Sequence, residues 1–199
     1  GSHVVTMLRE KDHDIVCLVR KSSDIGDLED TVTVVQGDVT DKPSIVSGMR
    51  GCEWVIHLAN VYSFWEPDRS VYKSVNVNGT RNVMEAAIET EAAKIVHVSS
   101  VVTYGRPDQL PFTEETPEGP SLFSEYARTK SAADALVWKL YKNQHLPVVM
   151  VFPGAVVGPG DLKASGQYIH DLIKRRLPMR VYDNSILTWV HVRDVSMAI

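Results

Sequence analysis

The chain has 199 residues, 44% hydrophobic and 23% charged, with 21 Lys+Arg against 25 Asp+Glu for a formal net charge of −4. That balance excludes intrinsic disorder, because there is enough apolar material to offset chain entropy, and the missing heptad or Gly-X-Y period excludes a coiled coil or collagen. No apolar run approaches the roughly 20 residues of a membrane span, no secretory signal opens the chain, and the scattered basic residues argue against nucleic acid as a partner.

In chain order, Gly1-Ser2-His3-Val4-Val5 reads as the start of a helix and Asp194 to Ile199 as the middle of one. A βαβ domain should open on a strand and a phosphate-binding turn, so the chain reads as an internal piece of a longer protein, with Gly1-Ser2-His3 as a tag scar the plainer account of its start. Five short apolar runs follow: Asp14 to Arg20, Thr31 to Val35, Trp54 to Ala59, Lys94 to Ser100 and Pro147 to Pro153. They are continuous rather than alternating, as expected of parallel strands buried on both faces. Helical stretches separate them over 41–49, 71–89 and 124–142, with apolar residues at helical spacing. Asp41 is placed as an N-cap with Pro43 in the first turn. Alternating strand and helix implies right-handed βαβ units and an α/β fold with a doubly wound parallel sheet, truncated at both ends. The Pro/Glu-rich stretch 106–120 reads as a surface loop.

Cys17 and Cys52 read as small buried hydrophobes in a reducing compartment, not a disulfide pair. The histidines are spread singly, with no metal-ligand spacing. His57 and His97 lie within apolar strands and read as core residues, and His191 as structural.

Tyr126-Ala127-Arg128-Thr129-Lys130 puts a phenol and an ammonium four residues apart on one helix face. Such a pair suits proton transfer at a hydroxyl or carbonyl, because a nearby cation stabilises the phenolate and lowers its pKa from about 10. The plainer account is a core-covering Tyr beside a solvated Lys. Ser100, ending an apolar strand 26 residues earlier, sits where ligands bind in open parallel sheets and could hydrogen-bond the same substrate oxygen. Capping of the next turn is its other account. Asp38, after the second strand, could accept from a bound nucleotide or cap the nearby helix. Arg20 ends the first strand with Lys21 and Ser22 after it and no acid before Asp24, which leans toward a 2′-phosphate and hence NADP, a solvated strand-end Arg being the alternative.

These residues, with Gly37-Asp38, His57-Leu58-Ala59, Asn76-Val77-Asn78-Gly79-Thr80, Tyr104-Gly105, Pro153-Gly154, Gly158-Pro159-Gly160-Asp161 and His191-Val192-Arg193-Asp194, resemble the extended short-chain dehydrogenase/reductases, the NAD-dependent epimerase/dehydratase family. The stretches 19–24, 37–41, 125–130 and 153–161 are most similar to the dihydroflavonol reductase-like branch.

The resemblance implies a Rossmann-type NAD(P)-binding domain over 1–152, lacking its first strand, and the start of a substrate-binding region over 153–199. It implies Tyr126 as general acid/base, Lys130 holding the nicotinamide ribose and lowering the Tyr126 pKa, and Ser100 orienting the substrate oxygen. Arg20, Asp38, Val39, Ala59 and Pro153 would line the cofactor, with Asp38 and Val39 beside the adenine. Asn76 would be a helix position near the active site, a structural role being its other account. Of the family's glycine-rich phosphate turn, Gly1 alone fits, at its final glycine.

The expected activity is hydride transfer between NADP, or alternatively NAD, and an alcohol/carbonyl carbon of a small molecule. Trp65, Phe64, Phe123 and Tyr168 would form an apolar wall suited to a flavonoid- or terpenoid-like substrate, core packing being the competing account of each. A nucleotide-sugar epimerase or dehydratase with retained NAD and a non-catalytic dinucleotide sensor are the alternatives. The resemblance admits a homodimer and implies a cytoplasmic setting.

Overall fold

A computed structural model describes residues 1–63, 65–161, 164–176 and 187–199, with the side chains of 27–29 and 164 left aside. The five anticipated strands form, as β1 (Val16–Val19), β2 (Thr33–Gln36), β3 (Trp54–His57), β4 (Lys94–Val98) and β5 (Val148–Val151). Two more short strands, β6 (Ala155–Val157) and β7 (Trp189–His191), follow. Every ladder is parallel, but the single sheet expected from the sequence is divided into three: β1-β2, β3-β4-β5 and β6-β7. No described strand joins β1 to β3. Val16 and Trp54, the first residues of β1 and β3, are exposed, and Lys94 lies over the Trp54 ring at 5.0 Å.

The helices are α1 (Ser2–Arg9), α2 (Lys42–Met49), α3 (Ser70–Tyr72), α4 (Thr80–Glu89), α5 (Glu125–Gln144), α6 (Ala164–Ile173) and α7 (Val192–Ala198). Asp41 stands at the N-cap of α2 without a capping hydrogen bond from its side chain; Pro43 in the first turn sets the entry. The stretch expected as one helix over 71–89 is helical throughout, but Lys73–Gly79, between α3 and α4, is wound as a wide π-turn. Such turns insert a residue into the helical ladder and recur at functional sites. Helix α5 starts on Ser124, whose hydroxyl accepts from Ala127 N at 3.0 Å, and ends on His145 in the left-handed region (φ 53°).

One apolar core binds these layers. Ile45, Val46 and Met49 of α2, Val83, Met84, Ala86 and Ala87 of α4, Ile95 of β4, Val137 of α5 and Leu146 pack together. The β1-β2 pair is tied to the rest through α2 and α4. Asn82 Nδ2 donates to Val39 O at 2.9 Å, and Gly79 lies so close to Val39 that a Cβ there would stand 2.8 Å from Val39 Cγ2. At the far end α1 and α7 pack on one another, and the His3 imidazole hydrogen-bonds Pro159 O at 2.8 Å. Cys17 and Cys52 are free and only half-buried, less enclosed than the sequence suggested. Among the described residues no helix is long and apolar enough to cross a membrane.

Candidate active site

The parallel registers bring the carboxyl ends of β3, β4 and β5 together. His57 pairs with His97 and Val98 with Val151, so Ala59, Ser100 and Pro153 emerge at neighbouring positions. The last is tied in directly, since Val101 N donates to Pro153 O at 3.1 Å. Ligands of open α/β sheets bind at this edge.

Helix α5 lays its first two turns across it. Tyr126 and Lys130, one turn apart, are both buried. The Tyr126 phenol is hydrogen-bonded to Ser100, while the Lys130 ammonium donates to Val98 O at 2.8 Å. The three residues singled out from the sequence thus share one site. Ser100 takes the turn-capping part anticipated for it, because its oxygen accepts from Val102 N at 3.4 Å and caps the short turn 101–104.

The electrostatics differ from the sequence expectation. Tyr126 was expected to ionise more readily beside Lys130, but burial pushes its pKa up to about 12. The neighbouring Tyr62 adds to this, the Ser100 hydrogen bond opposes it and Asp134 adds a little. The phenol is therefore held protonated, and the Lys130 charge is directed at a backbone carbonyl. Burial lowers Lys130 itself to about 8, with Asp134 opposing.

A buried polar layer beneath these groups was not anticipated. Asp134, one turn beyond Lys130, accepts from Ser99 Oγ at 2.5 Å and from His97 Nε2 at 3.1 Å. His97 stacks on His57 with ring centroids 5.3 Å apart. Thr80 donates its hydroxyl to Asn76 O at 2.7 Å, so His57 Nε2, 2.9 Å away, donates to Thr80 Oγ1. Both histidines are driven toward the neutral form, chiefly by burial. They are core residues, as expected, but polar ones. Asn76 is fully buried and ties the site's floor together, accepting from Val61 N at 2.7 Å and donating to Thr129 Oγ1 at 3.1 Å. A signal for this layer was present in the sequence: Asp134 interrupts an otherwise apolar Ala132-to-Val137 face four residues after Lys130.

The remaining cofactor candidates stand at strand ends. Arg20, exposed, follows β1 beside Gly37, whose N–H donates to Val19 O at 2.9 Å. Asp38 Oδ1 takes both the N–H and the hydroxyl of Thr40, at 2.8 and 2.7 Å, which is the turn-capping role. Val39 is packed on Gly79, and Ala59 is exposed. Asn60 Oδ1, just after β3, is buried without a hydrogen-bond partner among the described residues. The side chains present fit a dinucleotide: a guanidinium, a carboxylate, a small exposed residue and a carbonyl acceptor at the carboxyl ends of parallel strands, with a buried ammonium reaching in from α5.

Of the anticipated aromatic wall, Trp65 and Phe123 line one open pocket of about 180 Å³ with Arg69, Ser124 and Arg128. Both rings are more than 60% exposed, so core packing is not their role. Tyr168 lies on α6, outside that pocket, and Phe64 lies outside the described residues.

Known proteins resemble this chain in sequence and in fold. The model of the NAD dependent epimerase/dehydratase family matches residues 1–199. A dihydroflavonol 4-reductase-like protein of Synechocystis sp. is 30% identical over 98% of this chain and 57% of its own length. Cinnamoyl-CoA reductase 1 of Petunia hybrida is 28% identical over 100% of this chain and 64% of its own. The crystal structure of gox2253 superposes with a TM-score of 0.88 and 33% identity, over 99% of this chain and 61% of that one. The chain thus spans about three fifths of the length of the proteins it matches.

Proposed function

The chain belongs to the NAD dependent epimerase/dehydratase family, and from that premise we propose that the protein is an NADP(H)-dependent oxidoreductase acting on an alcohol/carbonyl carbon of a small apolar substrate. The observation that carries the proposal is the convergence of Ser100, Tyr126 and Lys130 at the carboxyl ends of parallel strands. When bound, the nicotinamide would supply or accept the hydride.

Tyr126, held protonated, gives its phenolic proton to the carbonyl oxygen in the reducing direction and takes it back in the other. Ser100, hydrogen-bonded to that phenol, orients the same oxygen. Lys130, its ammonium anchored on Val98 O, would hold the nicotinamide ribose. Ala59 would line the cofactor cleft, Pro153 would pack by the nicotinamide, Asp38 and Val39 would border the adenine, and Arg20 would meet the 2′-phosphate. Residues 1–152 form the dinucleotide-binding part and 153–199 begin the substrate-binding region. Trp65 and Phe123 supply the apolar wall for a flavonoid- or terpenoid-like substrate, a reading supported by relatives named for dihydroflavonol and cinnamoyl-CoA reduction.

The family model also covers epimerases and dehydratases by name, so the second reading is a sugar-nucleotide enzyme that retains NAD. The test is to purify the full-length protein without added cofactor, denature it and identify any released dinucleotide by mass. An empty site, with NADPH binding on addition, supports the exchanging oxidoreductase. Stoichiometric NAD overturns it in favour of the second reading.

A further inference from the structure

The buried layer under the site contains a carboxylate that hydride transfer does not itself require. Asp134 is 5% exposed; its partners Ser99 and His97 are exposed by 6% and 0%, and Lys130, one turn earlier on α5, by 3%. A buried carboxylate is costly unless its lone pairs are filled and a counter-charge is near. Both oxygens are filled, Oδ2 by Ser99 and Oδ1 by His97. Those two donors are the residues flanking Val98, whose carbonyl receives the Lys130 ammonium. Ser99 immediately precedes Ser100, the partner of Tyr126. One carboxylate therefore grips the strand on both sides of the point where the two chemical groups of α5 meet it.

We propose that Asp134 is the positioning residue of this site: it pins the end of β4 through Ser99 and His97 and provides the buried Lys130 ammonium with its counter-charge. The inference rests on the oxidoreductase reading for its purpose, though not for its geometry. Asp134 acts on Lys130 through space, since the pair makes no contact within ion-pair distance. The other titratable groups around the layer are His57, Tyr62, Tyr104 and Tyr126. Burial disfavours charge on His57 and His97 and ionisation of Tyr104 and Tyr126, which leaves the Asp134 carboxylate as the counter-charge for Lys130.

The experiment follows Lys130 directly in the cofactor-free full-length protein, by the pH titration of its 13Cε resonance, assigned with Lys130→Met. The affinity for NADPH is measured by fluorescence in parallel. Asp134→Asn keeps the shape and removes the charge. It moves the Lys130 titration to lower pH, leaves NADPH affinity within about twofold where Lys130 is protonated in both proteins, and weakens it about tenfold between the two titrations, where the variant alone has lost the charge, the loss expected when a charged contact goes. Ser99→Ala removes the anchor and keeps the charge; it weakens NADPH binding at every pH while the Lys130 titration stays in place, and it carries the test if Asp134→Asn does not fold. An unmoved Lys130 titration in Asp134→Asn, or equal weakening at all pH values, overturns the inference. A native protein that binds neither NADPH nor NADH overturns the oxidoreductase reading instead and leaves the Lys130 titration to judge Asp134.

Discussion

Lys130 is held in place at the expense of the fold, and the size of that effect can be worked out. The residue is 3% exposed, and its pKa is lowered from the ordinary 10.5 to about 8. A difference of that size makes the buried ammonium disfavour the folded state by about 3 kcal/mol at neutral pH. The sign follows from proton counts. Between the two values the unfolded chain binds the proton and the folded chain does not, so stability rises with pH across that window. Lys130→Met removes the charge and keeps most of the stem. It also leaves Val98 O without its donor, a loss of about 1 kcal/mol. The variant is therefore more stable than the native protein by about 2 kcal/mol near pH 7, and the advantage shrinks to about zero near pH 9.5. Urea denaturation of both proteins at the two pH values measures it, and the difference between them cancels other titrating groups. A Lys130→Met protein that is less stable near neutrality, by an amount that does not change with pH, refutes the reasoning. NADPH binding by the variant should be lost in the same preparation.

The histidine stack predicts acid lability. His57 and His97 are both lowered from 6.5, mainly by burial. Their contribution is full above that value and falls away as pH drops below it, because only the unfolded chain then takes up the protons. Thermal melts at descending pH should show Tm falling from about pH 6.5, and a flat Tm down to about pH 5 would contradict the burial assignment. Arg20→Glu, at the exposed end of β1, should reverse cofactor preference, weakening NADPH at least tenfold against NADH, because it exchanges a phosphate-binding cation for an acid suited to a ribose hydroxyl. An unchanged NADPH-to-NADH affinity ratio would remove Arg20 from the cofactor site.

What the sequence made legible was local. Continuous runs such as Lys94 to Val98 name buried parallel strands, and the four-residue spacing of Tyr126 and Lys130 names a helix face. Ser100 followed from its place at a strand end. What escaped depends on pairings between distant residues. The Asp134, Ser99 and His97 layer joins α5 to β4, and no pattern within either segment requires it. The sign of the Tyr126 shift was misjudged for a related reason: charge proximity can be read from spacing, but the depth of burial that outweighs it cannot. The wide turn at Lys73–Gly79 leaves the helical periodicity around it nearly intact, so the sequence reads as one helix. The strands β6 and β7, three residues each, are too short to show a period.

If Tyr126 moves the proton while a bound dinucleotide moves the hydride, Tyr126→Phe separates binding from turnover. NADPH affinity and NADPH oxidation with a dihydroflavonol or related carbonyl probe are measured on the full-length native and variant proteins. The account predicts that the variant binds NADPH within about twofold of the native protein while turnover falls by a factor of about 100 to 10,000, the range for loss of a general acid/base. A Tyr126→Phe protein that oxidises NADPH at the native rate would contradict it.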